Sequence, residues 1–260
     1  MKCVATAIIR SNQKVADGIF LASLEAPEIA GQCLPGQFIN IYFPETTKIF
    51  PRPFSIAGAS DSRIKLLYKV IGSQTTLMSG WSAGQKIKIL GPLGNIFDIQ
   101  EQHYRDFILL GGGVGAAPLM FLRDELVKKG IKPYFFIGAK TKAELPVVED
   151  SASHLILTTD DGSVGLKGNV VEHFLRMAEN YKTPTQVSVC GPDMMMKVLK
   201  DISLPQNMDV FVSLEKTMAC GLGLCQGCVV ETTSGKYNGH YALVCKDGPV
   251  FNIKDVKFND

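Results

Sequence analysis

Four cysteines in the last fifth of the chain are spaced like metal ligands. Cys220, Cys225 and Cys228 read C-x4-C-x2-C, and Cys245 follows after sixteen intervening residues. This is the plant-type spacing of a [2Fe–2S] cluster, in which four thiolates hold two irons and electrons move singly. Gly221, Gly223 and Gly227 interleave with the first three cysteines. A loop that must turn its N–H groups toward sulfur needs that backbone freedom. Two other chemistries compete. A zinc ribbon ordinarily pairs two short C-x2-C knuckles, and one short knuckle stands here. Disulfides need an oxidising compartment, of which the chain gives no other sign. The remaining cysteines, Cys3, Cys33 and Cys190, are dispersed, and Cys3 and Cys33 read as small buried hydrophobes.

Further upstream are segments suited to nucleotides. Gly111, Gly112, Gly113, Val114 and Gly115 lie between an apolar strand pattern and a helical one. Such a turn lets a phosphate approach the backbone at a helix N-terminus. It lacks the G-x-G-x-x-G spacing, because position 116 is Ala, and a purely structural turn is the alternative. Cys190, Gly191 and Pro192 form a second strand-to-helix junction, with Pro192 suited to the first helical position. Thr158–Ser163, with Asp160 at its centre, follows another strand and reads either as a contact to a dinucleotide or as a solvated turn. Met194, Met195 and Met196 read as core packing. In the first third, Arg52-Pro53-Phe54-Ser55 offers a guanidinium fork for a diphosphate and a hydroxyl for a ring or phosphate oxygen. Flanking prolines would equally suit a surface loop. Thr75 and Thr76 can cap a short helix.

These residues need elements to position them. Residues 1 to about 100 show short strands at Val4–Ile9, Gly18–Leu24, Gln37–Phe43, Arg63–Lys69 and Lys86–Leu90, with Gly and Pro between them and one helix near Thr75–Ser82. That texture predicts an antiparallel barrel or sandwich. Beyond Arg105, strands (Asp106–Leu110, Lys132–Ile137, Leu155–Thr159, Val187–Cys190) alternate with helices (from Pro118 to Gly130, near Lys142–Val148, Asn169–Asn180, Pro192–Asp201). Alternation predicts a parallel sheet covered on both faces. The fold class is therefore multi-domain, α/β plus β, with expected domains at 1–102, 103–208 and 209–260. The last is too short to hold a core without its metal.

Composition narrows the function. The chain has 260 residues, 46% hydrophobic and 20% charged, with a formal net charge of +2. Neither nucleic-acid binding nor a membrane-surface role follows from that balance. The apolar run at the N-terminus is too short for a secretory signal, and the longest uncharged stretch is too short to span a bilayer. A cytoplasmic protein is expected. His103, His154, His173 and His240 show no metal spacing and read as surface or packing residues.

Taken together, the motifs resemble the ferredoxin–NADP reductase superfamily. Arg52-Pro53-Phe54-Ser55 resembles its flavin-binding segment, Pro35–Phe38 and Gly91–Gly94 its barrel segments, and Gly111–Leu119 and Cys190–Pro192 its pyridine-nucleotide turns. Within it, Met218–Cys228 and Val244–Phe251 are similar to the electron-transfer subunits of type B, NAD-linked dihydroorotate dehydrogenase. The resemblance implies FAD in the barrel, NAD in the α/β domain and a [2Fe–2S] cluster in the tail. By position it implies FAD contacts from Arg52, Pro53, Phe54, Ser55, Leu67, Tyr68, Lys69, Gln74 and Thr75. Gln74 stands where the family usually has glycine. Electrons would enter from the FMN of a dihydroorotate-oxidising partner subunit, pass through the cluster and FAD, and leave as a hydride on NAD+, in pyrimidine biosynthesis. Two copies of each subunit would form a heterotetramer. The cofactors would do the chemistry, so no general acid–base residue is expected in this chain. Cys190 would lie near the nicotinamide. Lys140 and Lys142 leave a 2′-phosphate contact open on sequence grounds, and the resemblance favours NAD. Competing readings are the small subunit of an NADPH:ferredoxin or sulfide oxidoreductase and a zinc-stabilised nucleotide-binding regulator.

Overall fold

The structure is a computed structural model that describes residues 2–43, 49–146, 152–233, 237 and 240–258. Among these residues the first unit is a seven-stranded sheet made of β1 (Cys3–Ala16), β2 (Ile19–Glu25), β3 (Phe38–Tyr42), β4 (Arg52–Ser55), β5 (Gly58–Ala59), β6 (Arg63–Lys69) and β7 (Lys86–Leu93). Its strand order is β4-β3-β7-β1-β2-β6-β5, with every pairing antiparallel. Two short helices, α1 (Pro27–Ala30) and α2 (Ser73–Ser79), sit between strands. Alternating side chains of β1, β2 and β6 bury Ala7, Ile9, Ala22, Leu24, Ile64 and Leu66 in one core, as a period of two dictates.

The second unit has β8 (Asp106–Gly112), α3 (Ala116–Lys128), β9 (Tyr134–Ala139), β10 (His154–Thr159), β11 (Leu166–Lys167), α4 (Val170–Ala178), β12 (Thr185–Cys190), α5 (Asp193–Asp201) and β13 (Met208–Ser213). These strands run parallel in the order β11-β10-β9-β8-β12-β13. Buried on both faces, β8 and β9 are mostly apolar, as covered parallel strands tend to be, while β12 buries Thr185, Gln186 and Ser188 between its valines. The predicted helix near Lys142–Val148 is instead a single 3-10 turn at Lys142–Glu144, because Pro146 bars continuation. Residues 147 and 148 lie outside the described set.

The tail adds β14 (Val229–Glu231) and β15 (Tyr241–Leu243) as a two-stranded ribbon, then β16 (Val250–Asn252). β16 pairs antiparallel with β13, at the edge of the parallel sheet. Val230, Ala242, Val244 and Phe251 share one apolar core with Val187, Val210 and Val212 of the α/β unit. The tail therefore borrows a core, which answers the size argument above. A further cluster joins the barrel to the α/β unit through Ile19, Leu67 and Phe97 on one side and Leu109, Ala117 and Leu119 on the other.

Candidate functional site

The cluster loop gathers the four thiols in two pairs. Leu222 and Cys225 donate backbone N–H bonds to Cys220 Sγ at 3.3 and 3.4 Å. Gly223 donates to Cys245 Sγ at 3.1 Å, and the Cys245 N–H to Cys228 Sγ at 3.4 Å. Burial pushes the Cys220 thiol up, but the N–H groups of Leu222, Cys225 and Leu224 outweigh it and hold its pKa at about 6. Cys245, deeper in the fold, is pushed up to about 12 by burial and by its neighbour Cys228. Among the described residues no three histidine, cysteine or carboxylate side chains converge on a point that one metal ion would fill.

Between the barrel and the tail lies a cavity of about 480 Å³. Pro53, Phe54 and Ser55 of β4 wall it, with Leu67, Tyr68 and Lys69 of β6 and Thr75 of α2. β4 is an edge strand, so Pro53 lies where a missing N–H does no harm. Tyr68 stacks on Phe20, ring centroids 5.6 Å apart, and meets Phe54 edge-on. Thr75 caps α2 by accepting the Ile71 and Gly72 N–H groups at 2.9 and 3.0 Å. Arg52 and Gln74 stand beside this set rather than on the wall. Arg52 Nη1 donates to the Phe50 and Pro51 carbonyls.

A second cavity, about 530 Å³, opens at the carboxyl edge of the parallel sheet. Gly112, Gly113, Val114, Asp160 and Pro192 line it. Gly111, Gly115, Cys190 and Gly191 lie behind these, where the two βα turns touch: a Cβ on Gly115 would overlap the Cys190 carbonyl. Met194 and Met195 also face the cavity, and Met194 is 67% exposed. The expectation of core packing holds for buried Met196 and in part for half-buried Met195, which packs against the same core, but not for Met194. The α5 face turns once every 3.6 residues, so three successive methionines cannot all point inward. Similarly, Cys33 is buried but Cys3 only half so.

Lys69 and Val114 line both cavities. Lys69 also pairs with Glu144 at 2.9 Å, across the junction of barrel and α/β unit. Sequence reasoning missed Glu215, which walls the first cavity with Ser213 and Lys216. It keeps accessible surface there, yet protein crowds around it. That burial raises its carboxyl pKa, and the charge of Asp193 adds to the effect. Burial likewise pushes the Cys190 thiol well up, reinforced by Glu215. No local pattern marks Glu215, because its neighbours come from distant segments.

Residues 215–257 match the family model described as the iron–sulfur cluster binding domain of dihydroorotate dehydrogenase B. Over nearly the whole chain the sequence is similar to electron transfer subunits of dihydroorotate dehydrogenase B (NAD(+)). With that of Clostridium acetobutylicum it shares 35% identity over 97% of this chain and 96% of the relative. With that of Caldanaerobacter subterraneus it shares 34% over 99% and 100%. The chain belongs to the dihydroorotate dehydrogenase B electron-transfer subunit family. Among solved structures, an NADH-dependent reduced ferredoxin-NADP oxidoreductase studied for flavin-based electron bifurcation superposes with a TM-score of 0.85, at 29% identity, covering 97% of this chain and 90% of that one. A ferredoxin NADP+ reductase from Neisseria gonorrhoeae shares the fold, with a TM-score of 0.62 at 16% identity, covering 81% of this chain and 99% of that one.

As a member of that family the chain is an oxidoreductase component, and its residues fit the cofactors its relatives imply. Backbone N–H groups aimed at Cys220, Cys228 and Cys245 Sγ are donors suited to cluster thiolates. In the barrel, Gln74 is 4% exposed and its Nε2 has no hydrogen-bond partner. A buried donor without an acceptor costs stability; it lies behind Thr75, which walls the first cavity. Thr75, Lys69, Tyr68 and Ser55, which do line that cavity, offer hydroxyl and ammonium groups suited to a flavin's polar atoms.

Proposed function

We propose that this chain takes electrons from an FMN-containing, dihydroorotate-oxidising catalytic subunit and delivers them to NAD+. When bound, a [2Fe–2S] cluster passes single electrons, FAD pairs them, and nicotinamide accepts them as a hydride. Cys220, Cys225, Cys228 and Cys245 hold the cluster. Arg52, Pro53, Phe54, Ser55, Leu67, Tyr68, Lys69, Gln74 and Thr75 would hold FAD, which would supply the step between one-electron and two-electron transfer. Gly111, Gly112, Gly113, Val114 and Gly115, with Cys190, Gly191 and Pro192, form the NAD turns. Asp160 accepts from ribose hydroxyls, and its charge disfavours a 2′-phosphate. The working division is a barrel over 1–102, an α/β domain over 103–208 and a cluster domain over 209–260.

One observation carries this reading: Lys69 and Val114 belong to both cavities, so flavin and nicotinamide sites share a wall. No helix among the described residues is long and apolar enough to cross a membrane, and the reading places the complex in the cytoplasm, as two copies of each subunit. The test is co-purification with the catalytic subunit under anaerobic conditions, followed by cofactor analysis and assay. FAD, two irons with sulfide per chain, and dihydroorotate-dependent reduction of NAD+ are expected. Activity with reduced ferredoxin alone, or a colourless zinc protein, would overturn the proposal.

A further inference from the structure

A buried polar side chain of the barrel bonds the cluster loop. Asn40 is fully buried in β3, between Ile39 and Ile41. An amide in that setting is costly unless bonded. Its Nδ2 donates to the Cys220 carbonyl at 3.3 Å, across 180 positions of sequence. The reverse amide orientation would set two oxygens face to face, so the bond fixes the assignment. Gly221, at φ +70°, lies so close that a Cβ there would overlap the same amide nitrogen. Asn40 Oδ1 is buried without a partner. An apolar residue would pack here at lower cost, and rules of this kind are broken chiefly where function demands it.

Two positions back along β3 is Phe38, which lines the first cavity. A period of two puts Phe38 and Asn40 on one side of the strand. Across the ladder Asn40 faces Pro53, and Phe38 faces Ser55. The strand that walls the cavity therefore also grips the first cysteine of the loop.

Resting on the assignment of Cys220 as an iron ligand, we propose that Asn40 is a positioning residue for the cluster. It clamps the Cys220 backbone so that the Leu222 and Cys225 N–H groups point at Cys220 Sγ, and it seats the loop on the strand shared with the flavin cavity. Hydrogen bonds to sulfur favour the more negative, reduced form of a cluster. Releasing the clamp weakens them and moves the cluster to a lower reduction potential.

The test uses the complex with its catalytic subunit, carrying Asn40→Leu, Asn40→Asp or Asn40→Ser. Leu removes both polar atoms, Asp offers the Cys220 carbonyl only acceptors, and Ser enters the barrel without overpacking. The readouts are the cluster midpoint and g-values by redox titration followed with electron paramagnetic resonance, beside flavin midpoint, iron content and flavin content. We expect a negative shift of the cluster midpoint in all three, largest in Asp, with the flavin midpoint unchanged. Selective loss of iron with flavin retained also supports the clamp. A full-iron variant with an unmoved cluster midpoint and g-values overturns it, as does loss of flavin and fold together in all three, which would make Asn40 a general core residue. A wild-type complex without a [2Fe–2S] signal removes the premise, and the inference with it; a wild-type signal beside unmoved variants removes the inference alone.

Discussion

Asn95 pairs with Val250 as a strand residue would. Its Nδ2 donates to the Val250 carbonyl at 2.8 Å, and its Oδ1 accepts the Val250 N–H at 2.8 Å. The same Nδ2 reaches the Asp247 carbonyl at 2.9 Å, and the Asn95 N–H bonds the Gly248 carbonyl at 2.6 Å. The chain thus leaves Cys245 and is stitched to the end of the barrel before β16 enters the parallel sheet. Asn95→Leu deletes three side-chain bonds. At about 1 kcal/mol each, it should cost about 2–4 kcal/mol in chemical denaturation. Asn95→Asp keeps the acceptor but sets a carboxylate oxygen against the Asp247 and Val250 carbonyls, so its cost should be at least as large. A loss under about 0.5 kcal/mol for Leu would mean that water replaces the bonds without penalty.

Gly115 tests packing against conformation. It sits at φ −61°, ψ −12°, angles that alanine adopts freely, so backbone entropy alone would make Gly115→Ala mildly stabilising. The Cys190 carbonyl and the Gly191 Cα, the latter 2.7 Å from the added Cβ, decide otherwise. Overpacking against backbone should cost about 1–3 kcal/mol and spread the two turns, weakening NAD+ binding in calorimetric titration. Stability gained on substitution would refute the contact.

The readable part of this protein was local. The cysteines proposed to hold the cluster declare themselves because cluster spacing is set within a few residues, and β6 matches its predicted bounds because Arg63–Leu66 alternates between exposed and buried before Leu67 and Tyr68 are both buried. β4 hid behind its prolines: Pro53 looks like a loop residue until the strand order places it at a sheet edge. β1 runs on to Ala16 through Arg10–Lys14, a polar stretch that only its ladder with β2 holds extended. Asn40 and Glu215 could not be read at all. Each owes its setting to groups far off in sequence, Asn40 to Cys220 and Glu215 to Asp193.

Glu215 supplies a pH dependence. Unfolded, its carboxyl titrates near 4.5; burial and then Asp193 raise it in the fold. The folded state therefore holds this proton to higher pH than the unfolded state. The associated stability is present below 4.5 and is lost as pH rises through the folded value. Glu215→Gln cannot ionise and escapes that loss. Its thermal midpoint relative to the native protein should rise between pH 5 and 8 and converge with it at the acid end. Parallel profiles would show that Glu215 carries no raised pKa.

Lys69 and Glu144 should separate binding from stability. Their side chains are 40% and 36% exposed, and an ion pair in that setting contributes about 0–1 kcal/mol. Lys69→Met should therefore leave the denaturation midpoint nearly unchanged. Binding is another matter, because Lys69 is the cation on the wall common to both cavities. Glu144 lines the second cavity too and competes with any phosphate for that ammonium. Lys69→Met should raise the KM for NAD+ by up to about tenfold, the equivalent of roughly 1.4 kcal/mol. Glu144→Gln, which frees the ammonium, should lower it or leave it unchanged. A KM that moves the same way in both variants would mean that the pair acts as a brace between barrel and α/β unit, and that Lys69 does not meet the nucleotide.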